Sequence, residues 1–158
     1  MPETFDPDAM VDAFVRPIEA GDIPGIVMLR GSLLEKAGSP IPHDEATTRA
    51  LCHEALAGLD TMGWVVAHGR TVVGMLIVSI GPSPINGRVT IAVQRTFYIA
   101  EEARKWGYAT QLLLVAKQWA RAHGARWLAM TLNAQLGECD WLRKRGFTVA
   151  EMTGFLAL

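Results

Sequence analysis

The chain has 158 residues, half of them apolar and a fifth charged, with a formal net charge of −1; this is the balance of one folded domain with a core of ordinary size. No apolar run reaches the roughly 20 residues of a membrane span, the N-terminus lacks the basic start and apolar stretch of a secretory signal, and two cysteines without Cys-x-x-Cys spacing speak against a disulfide framework or a metal centre. Residues 1–103 hold 7 Lys/Arg against 13 Asp/Glu and residues 104–158 hold 8 against 3, so the second half suits an anionic ligand, although its scattered basic residues lack the interleaved aromatics of a nucleic-acid stripe.

Residues 1–12 read as a flexible tail, and 13–158 as a single domain. Phe14 to Glu19 predicts a short strand. Asp22 offers an N-cap, Pro24 lies in the first turn, and Ile26, Leu29 and Leu33 form a helical stripe that ends at Gly38. A second helix runs from about Asp44 to Leu56, with Leu51, Ala55 and Leu56 inward, and stops near Gly58. Gly63 to Ala67 and Thr71 to Ser79 flank the turn His68-Gly69-Arg70 as a hairpin. After the breaker-rich loop Gly81 to Gly87, Arg88 to Ile99 reads as a long strand. Gly107 to His123 carries Ala109, Leu112, Leu113, Ala116, Trp119, Ala120 and His123 at helical spacing, and Gly124 ends that helix. A strand from Trp127 to Leu132, a short helix near Gly137 to Lys144 and a last strand pair from Phe147 complete the chain. Three strands in succession imply antiparallel pairing, and the strand–helix–strand from Arg88 to Leu132 implies one parallel pair. The result is a mixed, largely antiparallel α/β sheet flanked by helices on both faces.

The segment with chemical content is Phe97 to Thr110. A strand leads through Arg104, Lys105 and Gly107 into a helix that opens with the small residues Ala109 and Thr110. The first amides of a helix lack internal partners and the helix dipole adds positive charge there. Two cations and a glycine at that place suit a pyrophosphate.

Arg104-Lys105-Trp106-Gly107-Tyr108-Ala109 fits Arg/Gln-x-x-Gly-x-Gly/Ala, and with it the chain resembles the GNAT superfamily of N-acetyltransferases. Asn133 at the end of the next strand and Leu142-Arg143-Lys144-Arg145-Gly146-Phe147 stand at the family's distances. Val15-Arg16-Pro17-Ile18, Asp22-Ile23 and Val73-Gly74 are also similar, so the resemblance runs from residue 14 almost to the end. It implies the acyl-CoA N-acyltransferase fold and an enzyme that moves acetyl from its cosubstrate acetyl-CoA to a primary amine in a ternary complex, and the missing secretory signal places that enzyme in the cytoplasm. The implied cofactor-binding residues are Ile99, Arg104, Lys105, Trp106, Gly107, Tyr108, Ala109, Thr110 and Asn133. The main chain of Lys105 to Thr110 would hold the diphosphate, the fourth strand would splay from the fifth, and the Ile99 backbone would pair with the pantetheine arm. The Phe97 amide would face the acetyl oxygen. The family's habit and the apolar end Phe155-Leu156-Ala157-Leu158 point to a homodimer.

The chain departs from the family pattern twice. Leu142 stands where many members carry the tyrosine that protonates the leaving thiolate, and Val93 and Gln94 stand where an acid often serves as base. Tyr98, Tyr108, Glu138, Cys139 and Asp140 are the nearest substitutes. Tyr108 reads better as a packing or adenine-edge residue, Cys139 as a helix-face residue, and Arg143-Lys144-Arg145 as a solvated helix end. The departures motivate an alternative function, a GNAT-fold module that binds CoA as ligand or regulator without turnover. A dinucleotide-dependent oxidoreductase would need Gly-x-Gly-x-x-Gly, which the sequence lacks. The acceptor has no readable code.

Overall fold

The computed structural model describes residues 13–131, 138–150 and 155–157. The expected N-terminal tail and Asn133 lie outside them. Five strands form one sheet in the order β1-β2-β3-β4-β5: β1 is Phe14–Pro17, β2 Thr61–His68, β3 Thr71–Pro82, β4 Thr90–Ile99 and β5 Trp127–Ala129. The first three pairings are antiparallel and β4–β5 is parallel. Helices α1 (Ile23–Lys36) and α2 (Glu45–Ala57) lie between β1 and β2 in the chain, α3 (Tyr108–Ala122) crosses from β4 to β5, and α4 (Glu138–Arg143) follows.

The period-two alternation of the strands feeds two cores. Val65, Ala67, Met75, Ile77 and Tyr98 pack with Ile23, Ile26, Val27, Leu51, Cys52 and Ala55 of α1 and α2. Trp64, Val66, Leu76, Val78, Phe97 and Ile99 pack with Leu112, Ala116 and Ala120 of α3. A sheet covered on both faces needs apolar residues at every position, which is why Val72 to Ile80 reads as one unbroken hydrophobic run. In α2 the inward stripe is Thr48, Leu51, Cys52 and Ala55. Leu56, expected inside, is 37% exposed because the stripe turns past it.

Asp22 precedes α1 as the sequence predicts, but it does not cap that helix. Its carboxylate turns back and takes two bonds from the Arg16 guanidinium, at 2.7 and 2.8 Å, and one from the Glu19 amide at 2.8 Å. This joins β1 to the start of α1 across the turn between them. With Asp22 only 3% exposed, burial alone would raise its pKa; the Arg16 bonds, the Glu19 amide and the Arg16 charge outweigh that and hold it below the ordinary 3.8.

Two irregularities shape β4. Ile77 faces Thr96 but Val78 faces Gln94, so Arg95 is an extra residue bulged out of the β3–β4 ladder. The pairing with β5 covers only Ile91–Trp127, Ala92–Leu128 and Val93–Ala129. A bulge bends its strand and raises the local twist, and here it begins where β4 leaves β5. The strand expected over Trp127 to Leu132 therefore ends at Ala129 among the described residues. The strand pair expected from Phe147 is absent from the described residues 147–150 and 155–157. Phe155 and Leu156 are 66% and 86% exposed, so they bury too little to be held in a ladder.

A carboxylate with a lowered folded-state pKa adds stability above its ordinary pKa and loses it as pH falls through the folded value. Asp22→Asn is therefore expected to lower unfolding stability by about 3 kcal/mol at pH 7, since it strands a partly buried guanidinium. Urea titrations should show the parent losing stability below pH 4 more steeply than the variant.

Candidate functional site

The pairing of β4 with β3 runs to Ala100, whose amide bonds Val73 O at 2.8 Å. Glu101–Trp106 then winds into a 3-10 helix, where the sequence suggested only a turn, with Ala103 buried beneath it. Gly107 follows at φ 76°, a left-handed conformation that side chains other than glycine adopt at a cost. It caps α3, and the amides of Thr110 and Gln111 bond its carbonyl at 3.2 and 3.3 Å. A Cβ built on Gly107 meets nothing within 4 Å, so the space beside the helix start is open.

Charged side chains border that space. Arg104 and Lys105 end the 3-10 helix. Arg104 donates Nε to Ile99 O at 3.1 Å and lies over the Tyr98 ring at 5.5 Å, so part of its guanidinium serves the end of β4. Lys105 Nζ sits 5.2 Å from the centre of the Trp106 ring. Tyr108 turns inward: it is 5% exposed, donates its hydroxyl to Ala13 O at 3.2 Å, and burial raises its pKa. It anchors α3 to the sheet and presents no acid to the open space.

Arg145 belongs with this group, although the sequence placed it on a solvated helix end. Its guanidinium stacks on the Trp141 ring at 3.9 Å, donates Nη1 to Trp141 O at 3.1 Å, and donates Nη2 to Thr110 Oγ1 at 2.9 Å. No pattern near residue 145 announced this, because the contact joins the turn after α4 to α3 over 35 positions. Arg143 instead pairs with Asp140 at 3.1 Å.

Beyond Val93 the outer edge of β4 has no strand against it among the described residues. Phe97 and Ile99 lie along this stretch. The Phe97 ring packs against Trp141 at 5.9 Å. Ile99 lies opposite Gly74, where a Cβ would come within 2.6 Å of Ile99 Cδ1 and 2.9 Å of Val66 Cγ2. Leu142 is 3% exposed, a core residue with no proton to give. Tyr98 is 2% exposed on the α1–α2 face. Asp140 is exposed and paired, Cys139 is half-buried, and the Glu138 side chain lies outside the description. Gln94 Oε1 is buried without a hydrogen-bond partner. Among the described residues no group of His, Cys, Asp or Glu could hold a metal ion, and no helix is long and apolar enough to cross a membrane.

The structure thus gathers Phe97, Ile99, Arg104, Lys105, Trp106, Gly107, Tyr108, Ala109 and Thr110 at one junction of strand and helix, and adds Trp141 and Arg145. Residues 31–147 match the model of the Acetyltransferase (GNAT) family, and the chain belongs to that family. The cosubstrate of the family is acetyl-CoA. An acetyltransferase of Trypanosoma brucei has a similar fold, with a TM-score of 0.72 over 93% of this chain and 100% of that one at 18% identity. A predicted acetyltransferase from Clostridium acetobutylicum, solved with acetyl-CoA, gives 0.74 over 92% and 96% at 17% identity. The aminoglycoside N-acetyltransferase AAC(6')-Iy, in complex with CoA, gives 0.73 over 92% and 94% at 17% identity. At these identities the likeness is one of fold. Among curated protein sequences none matches the chain.

Gly74→Ala forces a methyl against Ile99 and the stiff Val66. It is expected to lower stability by about 1–3 kcal/mol in urea unfolding.

Proposed function

We propose that this protein transfers the acetyl group of acetyl-CoA to a primary amine of a small molecule, peptide or protein, by direct attack within a ternary complex. The carrying observation is Gly107. Its left-handed backbone opens a space at the start of a 15-residue helix, with Arg104, Lys105 and Arg145 around it and, beside it, an edge of β4 that has no strand against it among the described residues. The residues fit the group: a diphosphate suits a helix start ringed by cations, and an extended pantetheine arm suits a strand edge.

In this reading the main chain around Gly107 and the guanidinium of Arg145 grip the diphosphate, and the arm runs past Ile99 toward Phe97. The Phe97 amide stabilises the oxyanion formed when the amine nitrogen adds to the thioester carbonyl, an effect worth about 2.7–4 kcal/mol per donor in other enzymes. The nitrogen gives up its extra proton to solvent, the C–S bond breaks, the amide keeps the acetyl group, and the departing thiolate takes a proton from solvent. Neither Val93 nor Gln94 can accept the proton of the amine, and Leu142 cannot supply one. Placement of the two reactants carries the acceleration, and the amine must arrive deprotonated. The enzyme works in the cytoplasm, without nucleic acid.

The buried Leu142 favours a second reading, a CoA-binding module without turnover. Release of CoA thiol from acetyl-CoA across an amine panel separates the two, and so does calorimetry with CoA. Transfer predicts thiol release that climbs with pH toward the pKa of the acceptor amine itself. Tight CoA binding with no thiol released on any amine would leave the binding module. In the same calorimetry Gly107→Glu, which sends a carboxylate into the open space, should weaken CoA at least about tenfold, and Arg145→Ala should do so by about tenfold. Undiminished affinity in a folded Gly107→Glu would sink the assignment of the site.

A further inference from the structure

Arg145 is exposed, yet its guanidinium is held in one place. An exposed arginine ordinarily keeps most of its rotamer freedom, and ordering it against a ligand costs entropy. Three contacts fix this one: its guanidinium carbon lies 3.9 Å from the centre of the Trp141 ring, Nη1 donates to Trp141 O at 3.1 Å, and Nη2 donates to Thr110 Oγ1 at 2.9 Å. Trp141 supplies two of the three. The ring and the carbonyl of that one residue set the direction of the guanidinium, and the third contact brings it onto the first turn of α3, just past Gly107. Among the described residues Arg145 enters no ion pair, so its charge has no anion there.

Trp141 is in turn placed by the sheet. It is half-buried, packs against the core on the α3 side, and its ring lies 5.9 Å from the Phe97 ring at an interplanar angle of 33°. The six residues of α4 are too few for a helix to hold by its own hydrogen bonds, so its position depends on side-chain contacts such as this one and the buried Leu142. Contacts therefore run unbroken from Phe97 on β4 through Trp141 to Arg145, and from there to Thr110 on α3. In the function proposed above, the acetyl group and the diphosphate bind at the two ends of that chain. Trp141 stands between them.

We propose that Trp141 is a positioning residue for the coenzyme: it aims Arg145 at the diphosphate and ties that grip to the strand that carries the Phe97 amide. The face of the indole ring attracts the guanidinium, while the ring as a whole fills the space beside Phe97. Because the guanidinium is aimed before the ligand arrives, binding does not have to order it, and its contribution to affinity is larger for that reason. Trp141 itself makes no bond with the reacting atoms. The inference rests on the reading that the site at Gly107 binds CoA, and adds to it the residue that sets one of its cations.

The test is a double-mutant cycle read by calorimetry with CoA, which needs no acceptor. Trp141→Ala should weaken CoA by about tenfold, as Arg145→Ala does. The variant with both changes should also lose about tenfold, not about a hundredfold, because the guanidinium contributes little once its aim is lost. Trp141→Phe, which keeps a ring and the carbonyl, should stay within about threefold of the parent. Added salt should weaken CoA less in Trp141→Ala and in Arg145→Ala than in the parent, since each has lost the same ionic contact. Should Trp141→Ala fail to fold, Trp141→Leu takes its place, with apolar bulk beside Phe97 but no ring for the guanidinium. Full affinity in the folded Ala or Leu variant, additive losses in the double variant, or a parent-like salt dependence overturns the proposal. Each of those outcomes leaves the coenzyme site standing, whereas a parent without affinity for CoA, or a folded Gly107→Glu with full affinity, overturns the site and this inference with it.

Discussion

The parting of β4 from β5 after three residue pairs is the constraint around which this molecule is arranged. A strand edge needs hydrogen-bond partners, and an unpaired edge inside a domain is stable only if something covers it. Here the bulge at Arg95 turns β4 away, and beyond Val93 the outer edge of β4 has no strand against it among the described residues. The same strand passes directly into the 3-10 helix and Gly107. The edge and the helix start are thus positioned by one continuous backbone, so the two halves of a coenzyme thioester would be received by a single rigid element.

The rest of the fold keeps that element in place from both faces. Alternating residues of β2, β3 and β4 send one set of side chains to α1 and α2 and the other to α3. Gly74 lets Ile99 sit close against β3, and Tyr108 fixes the first turn of α3 to the entry of β1. At the far edge of the sheet, Arg16 and Asp22 close the turn from β1 into α1 with a two-bond pair. That turn joins β1 to the start of α1.

The charges divide by face. Arg104, Lys105 and Arg145 gather where α3 begins, and Arg30 and Arg95 bond to Thr48 and Glu54 of α2. The side chains most often given acid and base roles in the family are absent, and the described residues near the split supply no evident replacement. Tyr98 and Tyr108 are buried, and Asp140 is paired with Arg143. In the function proposed above, the means of acceleration are the main chain and placement.

Much of this was legible in the residues alone. Periodicity marked the two N-terminal helices, the hairpin, the long strand and α3, because these signals are local and recur every two or every 3.6 residues, and Arg104 to Ala109 carried the family resemblance. The side-chain capping bond expected of Asp22 and the inward Leu56 failed, since each depended on a partner that local pattern does not specify. Arg145 looked like one of three solvated cations. The sequence by itself determined the element types, the family and the loop at Gly107. Tertiary structure alone decided that Arg145 meets Thr110, that Arg95 is bulged from its ladder, and that Trp141 meets Phe97, because contacts between residues distant along the chain are fixed by packing and leave no periodic trace.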